Sequence, residues 1–178
     1  NEIKTDRWWQ LYLYDLYRGE HSALTKEQAE HGLPAWAQGL RTYDFSPDGK
    51  KVYFFRNKEA RISLWSIDLE TLVEEQVTTE PEYSWFSQIA ISPEGDRLAT
   101  IASGSDIPAR VITIELPGKT IVERRSLPEN LSPALYASPE ALTWEGMDGG
   151  KVHGILYPPQ NPNYIGIGLP PLMVLVHG

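Results

Sequence analysis

Apolar and polar residues alternate with a period of two in several short stretches, set apart by clusters of Pro, Gly, Asp and Ser. That period sends successive side chains to opposite faces of a strand. The first such stretch is Leu11-Tyr12-Leu13-Tyr14-Asp15-Leu16. Lys51-Val52-Tyr53-Phe54-Phe55 and Ile62-Ser63-Leu64-Trp65-Ser66-Ile67-Asp68-Leu69 follow, then Arg97-Leu98-Ala99-Thr100-Ile101 and Val111-Ile112-Thr113-Ile114-Glu115-Leu116. Later, Thr143-Trp144-Glu145-Gly146 and Lys151-Val152-His153-Gly154-Ile155-Leu156-Tyr157 predict a hairpin turning at Met147-Asp148-Gly149-Gly150. The last run, Leu172-Met173-Val174-Leu175-Val176, does not alternate and predicts a strand buried on both faces, ending in His177-Gly178.

The alternating stretches repeat. Phe45-Ser46-Pro47-Asp48-Gly49-Lys50 recurs as Ile91-Ser92-Pro93-Glu94-Gly95-Asp96, a spacing of 92 − 46 = 46 residues. In Ser-Pro-Asp-Gly, proline presets φ for the first corner of a β-turn, the Asp carboxylate caps it, and glycine supplies the positive φ that ends it. The strand after each turn, and the one after that, match between copies. Four strands of ~5 to 6 residues with their turns fill the length of one propeller blade. An ordinary antiparallel meander or sandwich would explain one such turn, whereas two copies in register favour blades. The repeat places two nearly complete blades at about 40–79 and 86–128. The stretch at 11–16 matches 64–69 in pattern and stands for the outer strands of an earlier blade. The chain thus starts within a repeat and is expected to be a piece of a larger protein.

Composition narrows the function. A net charge of −8 and a pI near 5.0 argue against nucleic-acid binding, which needs a basic patch. Lys50-Lys51 and Arg124-Arg125 are too short to supply one. No stretch reaches the ~18 to 20 apolar residues of a membrane span. There is no cysteine, so disulfides, thiolate metal sites and a cysteine nucleophile are excluded. No signal peptide is visible after Asn1, and a cytoplasmic home is compatible with the sequence. No G-x-S-x-G nucleophile elbow occurs in the 178 residues.

Taken in order, the two Ser-Pro-Asp/Glu-Gly blades, Thr143-Trp144-Glu145-Gly146 with Asp148-Gly149, Gly154-Ile155-Leu156-Tyr157-Pro158-Pro159, and Pro171-Leu172-Met173-Val174-Leu175-Val176-His177-Gly178 resemble the junction of the prolyl oligopeptidase family of serine peptidases. The acylaminoacyl-peptidase and dipeptidyl aminopeptidase branch is the most similar. The resemblance implies a mainly β chain: a partial β-propeller of about two to two and a half blades in 1–137, then the first strands of an α/β-hydrolase domain in 138–178. It implies cleavage of short peptides through a Ser-His-Asp acyl-enzyme mechanism with no cofactor. The family's triad lies in segments beyond Gly178, so the chain alone is expected to be inactive. His177 and Gly178 would open the oxyanion loop, whose amides hold the charge of the tetrahedral intermediate. The alternatives are a noncatalytic propeller that binds proteins and an esterase of the same architecture. A partial propeller exposes faces that missing blades would cover, and the chain is expected to self-associate.

Other residues carry weaker signals. His21, His31 and His153 have no metal-ligand spacing and are expected on the surface or in hairpins. His177 as a triad base is set aside, because the family's catalytic histidine lies downstream. Glu74-Glu75 is expected at a solvated blade edge rather than as an anchor for a substrate amine. The six tryptophans are expected to fill gaps between blades.

Overall fold

The computed structural model describes residues 8–33, 36, 38–116, 118–128 and 136–176. The chain divides into two compact units, Asn1–Leu127 and Pro128–Gly178. Among the described residues there are twelve strands and no helix, so the fold is mainly β.

The first unit opens with a hairpin of β1 (Tyr12–Asp15) and β2 (Glu20–Ala23). Two antiparallel four-stranded sheets follow. One is β3 (Tyr43–Phe45), β4 (Lys51–Lys58), β5 (Arg61–Asp68) and β6 (Glu74–Val77), hydrogen-bonded in chain order. The other is β7 (Trp85–Ile91), β8 (Arg97–Ser103), β9 (Arg110–Glu115) and β10 (Lys119–Arg125), again in chain order. These are the two blades expected from the 46-residue repeat, and the hairpin carries the same pattern as a blade's outer strands.

The repeated turns close as their chemistry requires. Gly49 and Gly95 sit at φ 69° and 76°. Their amides donate to the carbonyls of Ser46 at 2.8 Å and Ser92 at 2.9 Å. In the first copy the Ser46 hydroxyl donates to Asp48, which also accepts the Lys50 amide. These bonds hold the Asp48 carboxyl below its usual range, the Ser46 hydroxyl contributing most. The second copy has Glu94 at that position, and Asp96 takes over by accepting from the Ser92 hydroxyl at 2.8 Å.

The first blade is buried on both faces, which explains the run of buried residues along β4. Tyr53 and Phe55 of β4, with Ile62 and Leu64 of β5, pack against Leu98, Ala102, Ile112 and Ile114 of the second blade. Val52 and Phe54, with Trp65 and Ile67, turn the other way and pack against Leu24 and the inward side chains Leu11 and Leu13. The cross-strand partners Val52↔Ile67, Phe54↔Trp65 and Phe55↔Leu64 keep each set on its own face. In the second blade Leu98, Thr100 and Ala102 alternate with the exposed Arg97, Ala99 and Ile101, so one face is buried and one is open.

The blades are also tied at β3 and β7. Asp44 accepts the Ile91 amide at 2.9 Å, and the Gln88 side chain donates to the Gly39 carbonyl at 3.1 Å. The β7–β8 register shifts between Ser87 and Ala90, a β-bulge at which Gln88 lies at φ 60°.

The second unit carries one hairpin, β11 (Glu140–Glu145) and β12 (Lys151–Leu156), paired in continuous register. The expected turn is present: Gly146 donates to the Gly150 carbonyl at 2.7 Å, and Gly149 sits at φ 78°. Gly154 lies mid-strand because the Trp144 ring crosses it, and a Cβ there would come within 2.9 Å of a ring carbon.

Two expectations are corrected. The run 172–176 is no strand and is 72% to 92% exposed. A strand buried on both faces exists only through partners on both edges and cover on both sides, and the described residues supply neither. Five of the six tryptophans, all except Trp65, are exposed rather than packed between blades. The interior between the blades is filled by aliphatic, Phe and Tyr side chains instead.

Candidate functional site

The residues expected to open the oxyanion loop, His177 and Gly178, lie outside the described residues. What leads to them is the hairpin β11–β12 and the unpaired run that follows Leu156. His153 faces solvent there, as expected from its alternation, and its Nδ1 lies 3.0 Å from the Thr143 hydroxyl.

The densest polar chemistry lies in the first unit, around Arg56. Strand β4 places Arg56 on the face that packs toward residues 8–33, in line with Val52 and Phe54. It is 6% exposed. Its guanidinium lies over the Trp65 ring, 4.2 Å from the centroid, and 5.6 Å from that of Phe54. Such stacking suits a planar, weakly hydrated cation. A terminal guanidinium nitrogen is ion-paired with Glu74 of β6, and Nε donates to His31 Nε2 at 2.9 Å.

His31 is buried too, which corrects the expectation of a surface histidine. Its amide donates to the Trp9 carbonyl at 2.8 Å, and Nδ1 lies 3.3 Å from the same oxygen. Arg56 Nε carries a hydrogen, so His31 Nε2 must accept. The ring proton therefore sits on Nδ1, facing the Trp9 carbonyl. Burial, and then the Arg56 charge, push the His31 pKa down. Glu74 is likewise no solvated edge residue; its carboxylate turns inward to the guanidinium, while Glu75 stays exposed. Nothing in the local sequence marked the link, because its members stand at 31, 56 and 74 on separate segments. One signal was available: an arginine in line with Val52 and Phe54 on a buried strand must find an anion or stack.

Chemically this cluster is closed. The carboxylate is spent on the guanidinium and both imidazole nitrogens are engaged, so no free base faces a nucleophile. Among the described residues no group of His, Asp and Glu could hold a metal ion. The cluster ties a segment to a blade and does not form a catalytic centre.

No family profile matches the chain. Solved structures do. A puromycin-hydrolyzing peptidase of Mycobacterium tuberculosis superposes on 88% of the chain with TM-score 0.77 and 28% identity. A second puromycin hydrolase covers 88% with TM-score 0.75 and 21% identity. The chain resembles the prolyl oligopeptidase family in fold. Prolyl oligopeptidase B of Galerina marginata extends the likeness in fold, over 82% of the chain with TM-score 0.59 and 12% identity. The chain spans 23% of the length of each puromycin-hydrolysing enzyme and 20% of the Galerina peptidase. An uncharacterised protein of Agrobacterium fabrum is 24% identical over 102 residues, 57% of this chain and 31% of that protein. The family likeness read from the order of blades, hairpin and terminal apolar run therefore holds.

Proposed function

We propose that this chain is part of a serine peptidase that cleaves short peptides through a Ser-His-Asp acyl-enzyme. The observation that carries the proposal is the likeness of 88% of the chain to a puromycin-hydrolyzing peptidase at 28% identity. Puromycin contains an aminoacyl amide, so an aminoacyl amide or short peptide is the substrate class. In this reading the two blades belong to a propeller that screens the substrate, and 138–178 leads into the hydrolase domain. His177 and Gly178 begin the oxyanion loop, and the triad is supplied by sequence outside the chain. Glycine at 178 would let the backbone approach the substrate with no Cβ in the way. Acyl transfer through a serine ester needs no metal or cofactor.

The experiment is to express the reading frame that contains this chain and to compare it with the 178-residue chain. A fluorophosphonate probe is expected to label one serine in the longer protein and none here. Aminoacyl-nitroanilides should be hydrolysed in preference to simple esters. Gly178→Pro should reduce turnover with the fold kept, since one oxyanion donor contributes ~2.7 to 4 kcal/mol. A frame with further blades and no G-x-S-x-G would make the protein a noncatalytic propeller. Esters cleaved in preference to amides would make it an esterase.

A further inference from the structure

We propose that His31 is a pH-sensitive latch between residues 24–33 and the first blade, and that protonating its ring releases that segment. Beside the burial of Leu24 against Val52 and Phe54, the segment's bonds to the first blade are few. Glu30 and Asn57 exchange two backbone hydrogen bonds, at 3.0 and 2.8 Å. Glu27 pairs with Lys58 at the surface. His31 is the one of these attachments whose charge changes near neutral pH.

Only the neutral ring fits its surroundings. Protonation would put an Nε2 hydrogen against the Arg56 Nε hydrogen, two donors and two positive charges 2.9 Å apart in a buried site. Glu74 and the Trp9 and Ala29 carbonyls favour the charged ring, but burial and Arg56 outweigh them. Glu74 of β6 is engaged with the guanidinium of Arg56 on β4. Glu30, next to His31 in sequence, accepts the Trp9 amide at 2.8 Å, and Glu27 is bound to Lys58. Phe54 presents an aromatic ring at 5.6 Å. The Trp9 and Ala29 carbonyls are the backbone acceptors nearby, and Trp9 already receives the Nδ1 hydrogen and the His31 amide.

The direction of the effect follows from linkage. Burial and Arg56 hold the latched ring's pKa below the ordinary value, so the released form binds a proton that the latched form lacks. Above about pH 6.5 neither form is protonated and the latch is at full strength. As pH falls below that value, the latched form loses ground until its own depressed pKa is reached.

Hydrogen exchange on the full chain tests this. The amides of Glu30, His31 and Asn57 report the latch, and those of Leu98 and Ile112 report the second blade. Between about pH 7.5 and 5, after correction for intrinsic rates, latch protection is expected to fall, by at most about tenfold for each pH unit that separates the two His31 pKa values. The second-blade amides should hold their protection. His31→Gln keeps an acceptor for Arg56 and a donor for the Trp9 carbonyl but does not titrate, and its profile should be flat. Should that variant not fold, the His31 ring resonance in the unaltered chain decides: titration below the ordinary value together with the loss of protection supports the latch. A flat profile in the unaltered chain, ring titration at or above the ordinary value, or a His31→Gln profile with the original slope overturns it.

Discussion

At the scale of single residues, two buried features have opposite sensitivities. Removing one partner of the Arg56–Glu74 pair leaves a charge stranded under Trp65 and Phe54. Breaking a fully buried pair costs ~3 to 5 kcal/mol, and Glu74 retains a quarter of its exposure, so Glu74→Ala should cost about 2 to 3 kcal/mol in urea unfolding. Exchanging Arg56 and Glu74 together for Met and Leu should recover part of that loss, because no unpaired charge remains, although the buried His31 Nε2 loses its donor. If the double variant is as unstable as the single one, packing rather than the stranded charge sets the cost. Gly154→Ala is milder. The added Cβ meets the outer edge of the Trp144 ring, which is half-exposed and free to swing outward. The expected loss is about 1 kcal/mol or less, the range of one cross-strand pair. A shifted Trp144 indole resonance would accompany it, and an unmoved resonance would place the clash elsewhere.

At the scale of elements, the repeated turns give an ordered comparison. Gly49 and Gly95 share the left-handed backbone that costs a residue with a Cβ ~1 to 2 kcal/mol. Their surroundings differ. A Cβ at Gly49 meets nothing within 4 Å, whereas one at Gly95 lies 3.2 Å from Pro47 Cδ of the first blade's turn. Gly95→Ala should therefore be the more destabilising of the two, and equal thermal shifts would show that the turns yield independently. The strands were legible because blade faces alternate and Ser-Pro-Asp-Gly turns punctuate them. The Asp44 tie to Ile91 and the bulge at Gln88 were not, since both depend on which neighbouring strand lies alongside. For the same reason His31 and Glu74 read as surface residues: each is polar in its local pattern, and only the fold brings them to Arg56.

At the scale of the whole molecule, the chain is a run of blades with unequal cover. The first blade is sandwiched, and burying both faces makes it the stable centre: Leu64→Ala, at 1% exposure, should cost ~2 to 5 kcal/mol, far more than Ile101→Ala on the open face. That open face carries Ile101 and Val111, and the hairpin at the other end turns Tyr12 and Tyr14 outward. In the second unit the apolar run 172–176 is exposed and forms no ladder, which is how its burial came to be misread: sequence shows that a strand is apolar but not whether its neighbours are present. Unpaired apolar segments are templates for pairing between chains, and blade units do not bury their faces alone. The 178-residue chain is therefore expected to form dimers or larger species through these surfaces. Light scattering over a concentration series reads this directly, and a stable monomer at ~100 μM, within the range where exposed apolar surface drives association, would count against it. Leu172→Lys with Val174→Lys should weaken association if the terminal run carries it, and Ile101→Lys with Val111→Lys should do so if the open blade face does. Loss in the first pair alone assigns the contact to the terminal apolar run, and loss in the second alone assigns it to the open blade face.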